Sequence, residues 1–121
     1  MIFILTIREQ NHPVPGALYL DCRPGKQELR RDSLAVFLPF RQYKLVQCLM
    51  ADNGVDVDQW KIFYHVWGEG SDGGPLAAQE CVHQLCANVR KKIAFMGLTV
   101  KSVRKGYGYR IMEIEAGNEV S

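Results

Sequence analysis

The apolar positions of this chain change their period twice. Up to residue 39 they come in short runs, at 1–7, 17–22 and 33–38, separated by the turn-rich stretches HPVPG and RPGKQ; the pattern predicts a small antiparallel sheet. Pro39 stops strand pairing. From Phe40 the spacing becomes helical, with Tyr43, Val46, Leu49 and Met50 on one face until Asn53 and Gly54 close the segment. Asp58 suits the N-cap of a second helix, QWKIFYHVW, whose Trp60, Phe63, Tyr64 and Trp67 form an aromatic stripe expected in the core. GEGSDGGP, residues 68–75, reads as a loop. A third helix is predicted over 76–96 with Gly97 as its stop, and Val82, Cys86, Val89 and Ile93 make its buried stripe. At roughly 100° per residue, Glu80, Gln84, Ala87, Asn88 and Lys91 then face the other way. Residues 98–104 and 107–113 read as the two arms of a hairpin, followed by the polar tail EAGNEVS.

Sheet, three helices and hairpin make an α+β chain laid out as a winged helix-turn-helix. In that layout the third helix enters the major groove of DNA and the hairpin touches backbone or minor groove. The 121 residues suffice for one domain, divided here into a strand extension (1–16), the winged helix (17–114) and a flexible tail (115–121). A net charge of +2 hides a lopsided distribution. Residues 90–110 carry Arg90, Lys91, Lys92, Lys101, Arg104, Lys105 and Arg110 with no carboxylate, a stretch suited to a polyanion. Residues 50–80 reverse the sign, with Asp52, Asp56, Asp58, Glu69, Asp72 and Glu80 against Lys61 alone, and the second-helix region is expected to be acidic. The apolar start is too short to cross a bilayer and runs into Arg8, so neither membrane nor secretion is expected. Cys22, Cys48, Cys81 and Cys86 follow no framework spacing, and the three in helical segments read as small reduced core residues of a cytoplasmic protein.

Three stretches, in order, carry a resemblance. RQYKLVQCLMADNG is similar to the first helix of the OmpR/PhoB-type DNA-binding effector domains of response regulators, HVWG at 65–68 to the end of their second helix, and VRKKIAFMGLTVKSVRKGYGYRI to the end of their third helix and wing. The resemblance covers about residues 17–114 and implies a bacterial or phage transcription regulator that binds double-stranded DNA. It also suggests head-to-tail homodimers on direct repeats, and contact with RNA polymerase through the 68–75 loop. Carried onto this chain, it places Gln84, Ala87, Asn88 and Lys91 at the bases and adjoining phosphates, and Lys101, Arg104, Lys105, Tyr107 and Arg110 on the wing. The chain departs from the family's pattern in three ways: Glu80 and uncharged residues stand on the exposed third-helix face, the wing is one residue longer, and Pro39 replaces a Thr cap; a receiver domain before the first strand is also not expected. A stand-alone regulator controlled by amount or by a partner is therefore expected, with strand 1–7 covering surface that a receiver would otherwise contact.

The rival reading is a winged helix that binds protein, since fold alone does not settle function. Catalysis has no constellation to rest on, and no cofactor or metal is expected. Cys81 and His83 point roughly 200° apart on a helix. His65 reads as a packed or capping residue, and GYGYR lacks the third glycine and following helix of a dinucleotide site.

Overall fold

The computed structural model describes residues 3–6, 16–51, 55–68, 74–103 and 108–114. Strands β1 (Phe3–Thr6), β2 (Leu18–Asp21), β3 (Glu28–Arg31) and β4 (Leu34–Phe37) form one sheet in that order. β2, β3 and β4 are antiparallel, as the alternation of apolar runs and turns predicts. Two details differ from the sequence reading. β1 pairs with β2 in parallel, not antiparallel as expected. β3 is a strand in a stretch to which the pattern assigned no element: ELRR has a single apolar residue, Leu29, too few to show a period of two, and pairing with strands on both sides fixes it. β4 forms the sheet's other edge, with Leu34 and Phe37 exposed.

Helix α1 (Phe40–Ala51) starts where Pro39 accepts the Tyr43 amide at 2.8 Å, a place where a residue without its own N–H costs the helix nothing. Its buried face is Leu45, Val46, Cys48, Leu49 and Met50, with Tyr43 only half-buried at the margin. The two-residue strand β5 (Val57–Asp58) leads into α2 (Gln59–Trp67), and the Asp58 carboxylate caps that helix by accepting from the Trp60 amide at 2.6 Å. The aromatic stripe is only partly core. Ile62, Phe63 and Val66 define the buried side, which turns Tyr64 outward to 43% exposure while Trp60 and Trp67 sit half-buried against the core.

Helix α3 (Gly74–Ile93) begins two residues earlier than expected, because Pro75 fits a first turn whose amides have no helical acceptor. Residues 69–73 of the expected loop and the expected tail at 115–121 lie outside the described residues. A 3₁₀ turn at Ala94–Met96 prolongs α3, and Gly97, at φ 76°, closes it in the left-handed region that glycine tolerates. β6 (Leu98–Val103) and β7 (Gly108–Glu113) form the hairpin, and β5 adds to the β7 edge to give a second sheet ordered β5-β7-β6. Arg31 ties the layers together: one guanidinium nitrogen donates to the Met96 carbonyl at 2.8 Å and another pairs with Glu113. The result is a winged helix with an amino-terminal sheet.

Gly108 earns its place through contact. A Cβ there would lie 2.9 Å from the Val57 carbonyl oxygen, across the β5-β7 pairing that joins Asp58 to Gly108. Gly108→Ala is expected to cost about 1–3 kcal/mol, as overpacking against an unyielding backbone does; urea unfolding checks it, and an unchanged midpoint would mean that β5 is free to shift. Removing residues 1–10 takes away β1 and the Phe3 side chain packed on the core, so the melting temperature should fall.

Candidate nucleic-acid interface

Four residues of α3, Val82, Cys86, Val89 and Ile93, are completely buried, as their spacing predicts. That fixes the rotation of the helix about its axis. Glu80, Gln84, Asn88 and Lys91 are in consequence exposed and Ala87 half-exposed, so four of the nine sequence-derived candidates share one presented face. A second group of charges behaves differently. Arg90, counted with the basic stretch, is turned inward: its Nε donates to the Val100 carbonyl at 2.9 Å and fastens α3 to β6. Lys91 and Lys101 each follow one partner of that junction.

On the hairpin, Lys101 and Arg110 are direct cross-strand neighbours, both exposed. Two like charges in this position oppose pairing and need a reason outside the sheet's own stability. Arg110 has some relief, because its Nη1 lies 3.8 Å from Asp56 Oδ1, but both side chains are well exposed and such a pair contributes little. Asp56 is a participant the sequence did not reveal, since it reaches Arg110 only through the β5-β7 pairing. Arg104, Lys105 and Tyr107 lie outside the described residues. The other tyrosine of GYGYR, Tyr109, is buried at 2% exposure, and burial raises its phenol pKa, with the Cys86 thiol adding to the effect. It anchors β7 together with Ile111, while Leu98 and Val100 anchor β6 and Val103 is only half-buried.

The remaining candidate chemistry separates in space. Cys81 and His83 are both exposed on α3, and among the described residues no group of three His, Cys, Asp or Glu side chains could hold a metal ion. Of the three helix cysteines expected in the core, Cys48 and Cys86 are there and Cys81 is not: one turn before Leu85, it falls beside the buried stripe rather than on it. Burial pushes the Cys86 thiol up to about 12, against a smaller opposing effect of Arg90. His65 is exposed at the α2 surface, where its Nε2 lies 3.0 Å from Gln47 Oε1 of α1. Among the described residues no helix is long and apolar enough to cross a membrane. No protein-family model matches the chain, and no curated protein matches it.

Alkylation of the folded chain near neutral pH should modify Cys81 readily and leave Cys48 and Cys86 untouched until denaturant is added. Mass mapping of the labelled peptides checks this, and early labelling of Cys86 would contradict the packing of α3.

Proposed function

We propose that this chain is a sequence-specific DNA-binding transcription regulator of the OmpR/PhoB type, with α3 in the major groove and the hairpin on backbone or minor groove. The observation that carries this reading is the cross-strand pair of cations, Lys101 opposite Arg110, on a hairpin fastened to a helix with a polar face. A phosphate backbone would relieve the repulsion that the sheet itself leaves standing.

The division of labour follows from side-chain chemistry. Gln84 and Asn88 have the paired donor and acceptor that match the N6 and N7 edge of adenine, and Ala87 between them suits a thymine methyl. Glu80 would accept from a cytosine amino group and disfavour other neighbours. Lys91, Lys101, Arg104, Lys105 and Arg110 would hold phosphates, with Tyr107 at the tip alongside them.

Binding measured against salt tests the proposal. Four or five phosphate contacts correspond to a log-log slope of about −4, at ~0.9 per contact. Gln84→Ala with Asn88→Ala should relax sequence preference at an unchanged slope. Lys101→Ala with Arg110→Ala should weaken binding to all duplexes and flatten the slope by about 2. Absence of binding to any duplex, or binding insensitive to salt, would favour the protein-binding reading.

A further inference from the structure

Sequence alone assigned the second-helix region an acidic character, but the two helices that meet there, α1 and α2, carry cations. Neither α1 nor α2 contains an Asp or Glu, whereas Arg41, Lys44, Lys61 and His65 all lie on them. Asp56 and Asp58 precede α2, and Asp58 is occupied as its cap. The cations of the two helices border the α1-α2 junction: Lys44 stands one turn before Gln47 on α1, and Lys61 one turn before His65 on α2. Arg41 of α1 sits over the Trp67 ring of α2, 5.4 Å from its centre, and Gln47 of α1 reaches His65 of α2. Burial, and after it the charges of Lys44 and Lys61, lower the His65 pKa below its ordinary value. Among the described residues, neither Arg41 nor Lys44 has a carboxylate within ion-pair distance.

The same surface exposes large apolar side chains. Phe40 is 59% and Tyr64 43% exposed, Phe40 beside Lys44 and Tyr64 stacked on the half-buried Trp60. Cations interleaved with exposed apolar groups on a pair of packed helices suit a partner that brings both carboxylates and apolar side chains. We propose that the α1-α2 surface, built on Phe40, Arg41, Lys44, Lys61 and Tyr64, is a docking site for an acidic segment of a partner protein carrying apolar side chains among its carboxylates. This surface is separate from the α3 and hairpin residues and does not depend on the DNA reading.

A nucleic acid fits it less well, because these rings already have a face engaged within the chain. Tyr64 stacks on Trp60 with centres 6.1 Å apart, Phe63 stacks on Trp67 at 5.2 Å, and Lys44 lies 5.9 Å from the centre of Phe40. Binding of single strands depends on open ring faces for the bases, whereas side-chain packing uses exposed edges.

The test uses the full chain and a fluorescein-labelled peptide in which Glu and Asp alternate with Leu and Phe. Two companions, the same peptide with Ser in place of Leu and Phe, and an oligothymidylate, separate charge from packing and protein from nucleic acid. Amide shifts on titration should cluster at Phe40, Arg41, Lys44 and Tyr64. Arg41→Gln with Lys44→Gln, and separately Phe40→Ser, should each weaken the first peptide by at least about tenfold. The Ser companion should bind the unaltered chain correspondingly less well. Shift mapping on the unaltered chain reads the same surface should a variant fold poorly. The proposal is overturned by shifts confined to α3 and the hairpin, by no binding of the peptide, by equal binding to the variants, or by tighter binding of oligothymidylate at these residues.

Discussion

The apolar stripe of α3 has to be removed from water, and the rest of the fold is organised around the place where that happens. α1, α2 and β6 all pack against it, with β6 fastened near its carboxy-terminal end through Arg90 and Val100. Because Val82, Cys86, Val89 and Ile93 are all completely buried, α3 cannot roll without exposing one of them. Two arginines then fix its far end. Arg90 fastens it to β6, and Arg31 reaches from the first sheet to the last carbonyl of the 3₁₀ turn. A partner meeting the outer face of α3 therefore meets an orientation set by the interior.

What could be read without the structure was whatever depends on local pattern. The Asp58 cap, the Gly97 stop and the α3 stripe each need only neighbours within a few residues, and all three are present. Contacts between distant segments were not legible. β3 carries one apolar residue and exists because β2 and β4 flank it; the parallel pairing of β1 leaves no local trace. Gly108 read simply as part of the hairpin's second arm, whereas its constraint is the Val57 carbonyl, brought close by a strand about fifty residues earlier in sequence. At the candidate interface the helix face was legible from angles alone, but the inward turn of Arg90 and the approach of Asp56 to Arg110 were not.

Charge shows the same distinction between chain and space. Counting residues over 50–80 gives an acidic stretch, yet its described carboxylates lie before α2 or on α3, and the surface of α2 itself bears Lys61 and His65. Once α1 is packed against it, Arg41 and Lys44 add to that surface from a part of the sequence outside the counted stretch. A helix inside a charge window takes its electrostatic character from its neighbours in three dimensions.

The Asp56 carboxylate beside Arg110 has a further effect on how this molecule meets anions. An arginine with a resident acid nearby must exchange one anion for another, so what a newcomer gains is a difference between two contacts rather than the whole of one. At 3.8 Å and in partial contact with solvent, the resident is easily displaced. Asp56 would thus lower only slightly what an anion gains at Arg110, and proportionately less for a ligand whose charges also engage the neighbouring Lys101.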